Sequence, residues 1–159
     1  MVSGLQLCYP SDGTAPFGFL KLDTSAKVAS LGSAYTAVPG DINSLSYNPA
    51  GLSNIKVNQI AFMHNWWFQN VAQQYIAFVH KYGIGASINL LQYGQTLRTT
   101  ISNPQGTGLY SISDMEIKLG YGYKISEKLD IGLGLKYVKE KIDSHTGEGI
   151  ALDIGGLYR

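Results

Sequence analysis

Residues 114 to 137 read DMEIKLGYGYKISEKLDIGLGLKY, with apolar side chains at alternating positions on both sides of a short polar turn. Ile117 and Leu119 alternate with Glu116, Lys118 and glycine, and the same period of two resumes after the turn. Successive side chains of a β-strand point to opposite faces of its sheet, so this period predicts two strands. The short turn between them predicts an antiparallel hairpin.

The same period begins after Ile55 and continues to the end of the chain. It predicts six antiparallel strands in residues 56–159, preceded by a helical N-terminal segment in residues 1–55. The strands are expected in residues 57–68, 73–82, 84–90, 114–123, 131–137 and 150–155. Several of these stretches run for about ten residues, whereas ordinary strands have ~5–6 and strands that cross lipid need ~9–11.

The connections between the strands show a second pattern. Short links at Tyr82-Gly83 and Ile125–Asp130 alternate with longer links at Thr99–Gly108 and Asp143–Gly149. Outer-membrane barrels have the same alternation, with short periplasmic turns and long external loops. The link near Gln69–Ala72 is an exception, because it is short where an external loop is expected.

The N-terminal segment has a helical period instead. The apolar residues of 25–38 are spaced for one face of a helix, which Pro39-Gly40 is expected to end. A second short helix is predicted over residues 41–47, with Asp41 as its cap. It should end before Pro49, which confines the residue before it to extended geometry.

The composition argues against several classes of function. Only 14% of the residues are charged, against ~25% in soluble domains, while 19 glycines and 11 tyrosines are present. The net charge of +1 and the lack of a basic cluster give no support to nucleic acid as a partner. The one cysteine, Cys8, excludes an internal disulfide.

Motifs for chemistry are also missing from the sequence. No nucleotide-binding glycine motif and no Gly-x-Ser-x-Gly is present, and His64, His80 and His145 lack metal-ligand spacing. We therefore expect no enzyme activity, no catalytic residue, no metal and no cofactor. No apolar run of 18 residues predicts a transmembrane helix, but closed barrels cross lipid as well.

Alternation alone leaves open which face of the strands meets water. In a soluble sandwich or a lipocalin-like barrel the apolar face is inside, whereas in a transmembrane barrel it faces lipid. Strand length, aromatic strand ends and glycines on the polar face favour the transmembrane barrel, because small residues leave room in a lumen for a plug or a ligand.

The transmembrane reading assigns a position to each set of residues. Residues predicted to face lipid are Ile88, Ile117, Leu119, Leu133, Leu135 and Leu152. Polar residues predicted to face the lumen are Asp114, Glu116, Lys118, Lys136 and Asp153. Aromatic residues predicted at the membrane interfaces are Trp66, Trp67 and Phe68 at the outer end and Tyr82 and Tyr123 at the periplasmic end.

The most specific motif is DINSLSYNPAGL at residues 41–52, which follows the small-residue stretch ASLGSAYTAV at residues 29–38. Together with FGFLKL at residues 17–22 and LDIG at residues 152–155, it resembles the FadL-like outer-membrane barrel superfamily, and in particular its PorV/PorQ and UPF0164 branch. The resemblance covers essentially the whole chain and is strongest from Phe17 to Leu52.

That resemblance implies a barrel of about fourteen strands with an N-terminal plug in its lumen. In fatty-acid transporters of the family the matching segment lies inside the barrel and helps to gate it, which implies a plug or gating role for Asn48, Pro49, Ala50 and Gly51. Asn48 is expected to hydrogen-bond wall residues such as Glu116 or Lys136. The alternative is that the motif merely ends a helix and starts the first strand.

The resemblance also implies a function. Passive transport of hydrophobic small molecules across the outer membrane of a Gram-negative-type bacterium is expected, with membrane lipid and the transported molecule as partners. The alternative is a non-transporting, PorV-like barrel that binds secreted proteins or a component of a secretion machine. Single-chain barrels have at least about eight strands, so six predict an incomplete chain. No residue set marks a site for a fatty-acid carboxylate.

Overall fold

The computed structural model describes residues 17–159, and most of this part of the chain forms one antiparallel sheet. Its six strands follow one another in sequence order, each hydrogen-bonded to the next. They are β1 (Gln59–Trp66), β2 (Ala72–His80), β3 (Ile84–Leu97), β4 (Leu109–Lys124), β5 (Leu129–Ile142) and β6 (His145–Tyr158). The predicted all-β class with six antiparallel strands is therefore confirmed. Cys8 lies outside the described residues, as do the first sixteen residues of the predicted N-terminal segment.

The predicted alternation of short and long connections is only partly correct. The connection of β3 to β4, residues 98–108, is long as expected, but the predicted loop at residues 143–149 is wrong. Asp143 adopts a left-handed backbone (φ 56°), so the chain reverses within residues 143–144. The ladder then continues at once, and Lys139 and Glu148 form an ion pair of 3.0 Å across it.

The predicted helix over residues 25–38 is too long. Helix α1 spans only Ala26–Ser30, because Gly32 and Ser33 adopt left-handed φ angles of 62° and 64°. Their N–H groups bond back to carbonyl oxygens of the helix, which is the hydrogen-bond pattern of a Schellman helix end. The helical spacing of apolar residues continues to Tyr35, although the helix ends at Ser30. Tyr35 belongs to a segment of irregular backbone, and its side chain is buried.

A second helical unit lies against one face of the sheet. Helix α2 (Ser44–Tyr47) is shorter than the predicted 41–47 and is followed by a 3-10 helix, Pro49–Asn54, which the sequence pattern did not predict. We call residues 41–55 the inner segment, and we call the sheet face that it covers the inner face. The opposite face is the outer face.

The buried core lies between the inner segment and the inner face. Leu45 and Leu52 are fully buried and form one apolar cluster with Ile55, Tyr75 and Val79. A second buried cluster is made of Phe19, Leu91 and Val138. In the part of the chain that the structure describes, no helix is long and apolar enough to span a membrane, a finding that concerns helices and does not bear on strands.

Candidate functional site

The Asn-Pro-Ala-Gly motif forms a sharp corner between α2 and the 3-10 helix. Asn48 is extended (φ −157°), as expected for a residue before proline. Its Oδ1 atom accepts a hydrogen bond of 3.1 Å from the Ala50 N–H and so caps the 3-10 helix. Pro49 occupies the first helical position, where a missing N–H costs nothing. The motif therefore ends one helix and begins another, well before β1 starts.

Three glycines of the inner face, Gly122, Gly132 and Gly155, lie beneath this corner. They are paired in register on β4, β5 and β6, and we call them the glycine row. A Cβ atom added to Gly132 would overlap the backbone of Pro49, and one added to Gly122 would lie 2.7 Å from the Pro49 carbonyl oxygen. One added to Gly155 would overlap Oδ1 of Asn48. The backbone of the inner segment therefore rests directly on the strands, an approach that glycine permits.

A neighbouring pair of glycines receives an apolar side chain. Gly85 and Gly120 are paired on β3 and β4, and a Cβ atom at Gly120 would lie 2.5 Å from a methyl carbon of Leu45. Leu45 is fully buried there. Glycines on the inner face thus form the surface on which the inner segment packs.

Asn48 also ties the corner to the sheet. Its Nδ2 group donates to the carbonyl oxygen of Gly156 on β6 (3.2 Å) and to that of Thr36 (2.8 Å). The predicted bonds to Glu116 or Lys136 are not formed, because Asn48 lies at the glycine row. Lys136 lies further along β5, where it pairs with a carboxylate of β6. Asn48 therefore contacts the sheet at a backbone oxygen atom, and no pattern of side chains in the sequence could indicate such a contact.

We expect Asn48→Ala to loosen the inner segment with little effect on the strands. The variant loses the helix cap and both donated bonds, and loss of a cap alone costs about 1 kcal/mol. Limited proteolysis should cleave within residues 41–55 faster, while the strand region keeps its unfolding midpoint. Asn48→Asp keeps the acceptor for the Ala50 N–H but turns a carboxylate oxygen towards the carbonyl oxygens of Thr36 and Gly156, so it should be cleaved at least as fast as Asn48→Ala. Equal cleavage of wild type and Asn48→Ala would contradict an anchoring role.

The polar residues predicted to face a lumen lie on the inner face. Lys118 is 1% exposed, and its Nζ atom lies 2.6 Å from Oδ2 of Asp153 and 3.3 Å from the backbone oxygen of Ser46. Lys136 Nζ lies 3.0 Å from Oδ1 of the same Asp153. Asp114 and Glu116 are buried as well. The carboxylate of Asp153 therefore joins two ammonium groups, one of which also holds the inner segment.

The outer face is apolar and exposed. Every residue predicted to face lipid is exposed, from 38% for Ile117 to 76% for Leu152. The set consists of Ile88, Ile117, Leu119, Leu133, Leu135 and Leu152. In a soluble domain aliphatic side chains fill the interior and lysine is almost never buried unless it is paired. This sheet departs from the first part of that pattern, because a whole face of aliphatic side chains is open while a paired lysine lies beneath the inner segment.

The predicted interface aromatics do not all share one face. Trp66 and Phe68 near one end of the sheet, and Tyr82 and Tyr123 near the other, are exposed. Trp67 is half-buried and packs inward against the second buried cluster. Trp67 lies at the same end of the sheet as Trp66 and Phe68 but faces the other way, because successive residues of extended chain point to opposite sides. That these aromatic residues lie at membrane interfaces stays a prediction.

A cavity of about 400 Å³ opens near the end of the sheet that is opposite to the glycine row. Its volume falls within the ~300–1,000 Å³ of typical small-molecule sites. The residues that line this apolar pocket are Gly18, Phe19, Leu22, Trp67, Phe68, Val71, Leu91 and Tyr93. The Tyr93 hydroxyl donates a hydrogen bond of 2.8 Å to Oδ2 of Asp114. The sequence did not indicate this pocket, since its walls come from three separated stretches of chain.

One ion pair outside the strands fixes the start of the inner segment. Lys27 Nζ donates to Oδ2 of Asp41 at 2.6 Å, and this hydrogen bond raises the pKa of Lys27 above its ordinary value. Partial burial alone would raise the pKa of Asp41, but the bonds from Lys27 and from Asn43 outweigh it and lower that pKa. Both groups are therefore charged at neutral pH, and α1 is linked to the inner segment.

Metal chemistry finds no support in residues 17–159, where no group of three or more His, Cys, Asp or Glu side chains is arranged to hold an ion. The prediction that the protein uses no metal or cofactor stays a prediction. The described chain offers three other features: an inner segment packed on glycines, the ion pairs of Lys118 and Lys136 with Asp153, and an apolar pocket.

Comparison with known protein families gives a match. The sequence profile of the family described as uncharacterised protein family UPF0164 matches residues 11–150, a range that includes the inner segment and reaches into β6. No curated protein matches the chain.

Proposed function

This chain belongs to the uncharacterised protein family UPF0164, and we propose that it forms part of an outer-membrane β-barrel through which hydrophobic small molecules pass passively. The wider FadL-like and PorV/PorQ relationship is part of the same proposal. The observation that carries it is the difference between the two faces of the sheet. Leu119 and Leu152 are exposed on the outer face, whereas Lys118 is buried beneath the inner segment.

Lipid accounts for the outer face better than water does. Apolar surface left in water costs about 25 cal/mol per Å² relative to burial, and soluble monomers rarely expose contiguous apolar patches above a few hundred Å². Acyl chains would cover this surface. Strands β3 to β6 have 14 to 16 residues, more than the ~9–11 that a crossing needs.

A transmembrane sheet must also close, because unpaired strand edges are not tolerated in hydrocarbon. β1 and β6 are the edges of the described sheet, and the smallest single-chain barrels have about eight strands. Closure therefore takes strands beyond these six. In the closed barrel the inner face lines the lumen, and the inner segment is the plug that lies against it.

The path of a hydrophobic molecule follows from the order of the features along the sheet. The apolar pocket lies at the end that carries the long connection 98–108, and long loops face the outside in outer-membrane barrels. The ion pairs of Lys118 and Lys136 with Asp153 come next, followed by the glycine row on which the inner segment lies. A molecule from outside would bind in the apolar pocket and leave when the plug moves.

Gly18→Trp should block this path while the fold is kept. Gly18 lines the apolar pocket, and a Cβ atom added there meets nothing within 4 Å, so the substitution itself is not obstructed and we expect the indole to occupy the cavity. We expect uptake of a labelled aromatic hydrocarbon by cells to fall at least tenfold, close to the level of a strain without the gene. Ile88→Trp is the control, because it adds the same indole to the outer face of β3 and should leave uptake unchanged.

Other outcomes would contradict parts of the proposal. Full-length protein that is soluble and monodisperse without detergent or lipid would exclude the barrel. Unchanged uptake in the strain without the gene, together with loss of secreted proteins from its surface, would exclude transport and support the PorV-like role.

A further inference from the structure

We propose that the apolar pocket selects neutral hydrophobic compounds, such as hydrocarbons and alcohols, and rejects those that carry a carboxylate. This inference rests on the proposed transport function and names the class of molecule that passes.

Two carboxylates, those of Asp114 and Glu140, lie next to the pocket on neighbouring strands. Leu91 on β3, Asp114 on β4 and Glu140 on β5 are paired in register. Leu91 lines the pocket, and so does Tyr93, whose hydroxyl lies 2.8 Å from Oδ2 of Asp114. A ligand in the pocket is therefore separated from the Asp114 carboxylate by a single lining side chain, with Glu140 behind it.

No cation of the described chain neutralises these groups. Within residues 17–159 neither Asp114 nor Glu140 takes part in an ion pair. Glu140 accepts a hydrogen bond of 3.2 Å from the Phe17 N–H. Asp114 accepts the bond from Tyr93 through Oδ2, and its Oδ1 atom is buried without a partner.

Two ammonium groups of the inner face are engaged elsewhere. Lys118 and Lys136 both pair with Asp153, at 2.6 and 3.0 Å, further along the strands towards the glycine row. Lys139 follows Val138 and so lies on the other side of β5, where it pairs with Glu148 at 3.0 Å. Lys21 directly precedes Leu22 of the pocket lining, but it is exposed and forms no ion pair with either carboxylate. Two carboxylates against this one lysine leave negative charge in excess beside the apolar lining.

This arrangement discriminates between ligands of equal length. A hydrocarbon chain gains the same burial whether it ends in a hydroxyl or in a carboxylate. The carboxylate would lose its water, find no cation and lie near like charges, and like-charge contact at a low-dielectric site is strongly unfavourable. A hydroxyl is neutral and can donate to a carboxylate oxygen, so an alcohol avoids this penalty.

Binding of two matched ligands tests the inference. Full-length protein in lipid nanodiscs carries Trp66→Phe, so that Trp67 in the pocket wall reports binding by its fluorescence. It is titrated with 1-decanol and with decanoate at pH 8, where a carboxylic acid is ionised. Empty nanodiscs correct for partition into lipid. We expect decanol to bind at least tenfold more tightly than decanoate.

Two isosteric changes show the origin of this preference. Asp114→Asn with Glu140→Gln should tighten decanoate binding about tenfold and leave decanol binding unchanged, which also shows that the pocket is intact. Glu127→Gln removes one charge from the exposed turn between β4 and β5 and should change neither ligand.

The outcomes are distinct. Decanoate binding to wild type as tight as decanol binding, or an unchanged ratio in the double variant, would overturn the selectivity and leave the transport proposal standing. Failure of both ligands to bind would overturn the pocket as a binding site and the proposed function with it.

Discussion

Gly132→Val is expected to force the inner segment off the sheet, at a cost of about 3 kcal/mol in the free energy of unfolding. Overpacking of a filled site costs ~1–3 kcal/mol, and here the upper end applies, because the obstacle is the backbone of Pro49 and Ala50 and not a side chain that could rotate. Denaturant unfolding of the protein in lipid measures the cost. Limited proteolysis within residues 41–55 shows whether the segment has been released.

Gly147→Val is the matched control for this prediction. Gly147 lies on β6, and a Cβ atom added there meets nothing within 4 Å. Valine is well suited to strands, so the control should be neutral or slightly stabilising. If Gly132→Val were as stable and as resistant to protease as Gly147→Val, the inner segment would not be seated on the glycine row in solution.

Leu119→Arg is expected to destabilise the protein in a bilayer by about 2–4 kcal/mol, the cost of an arginine that faces mid-bilayer lipid. Leu119 is 54% exposed on the outer face of β4, in the middle of the sheet. In water an exposed leucine could be replaced by arginine at almost no cost. The same substitution therefore separates a lipid-facing surface from one that meets water.

Leu109→Arg gives the depth control for Leu119→Arg. Leu109 is exposed at the other end of the same strand, next to the long connection, where the expected cost is only ~0–1 kcal/mol. Unfolding in denaturant from lipid vesicles measures both variants. A near-neutral effect of Leu119→Arg would show that the outer face does not meet hydrocarbon, and the proposed barrel would then be wrong.

The periods of the sequence predicted the strands better than they predicted where helices and strands end. The period of two in residues 114–137 predicted both strands of a hairpin that the structure shows as β4 and β5. The helix predicted over 25–38 is limited to α1, because Gly32 and Ser33 turn left-handed before the apolar spacing ends. The loop expected at 143–149 is mostly strand, since hydrogen bonds to β5 extend pairing through residues rich in turn formers.

The sequence indicated part of the candidate site, but the residues of the site come together only in the folded structure. The sequence singled out Asn48 and its neighbours by their pattern, and it suggested that glycines on the polar face leave room for a plug. It could not indicate that Gly132 lies under Pro49, because which glycines meet the motif depends on register across three strands. The sequence placed Asp114 on the polar face, but nothing indicated its contact with Tyr93 beside the pocket, because the pocket joins chain segments that are remote in sequence.

The sequence by itself determined that Ile117 and Lys118 lie on opposite faces of one strand, since a period of two holds wherever that strand is placed. It could not decide which of the two is inside, because turning the sheet inside out leaves the alternation unchanged. Only the tertiary structure decided this. Asn48 bonds to Gly156 across 108 positions of sequence, and the segment it anchors covers Lys118 and leaves Ile117 exposed.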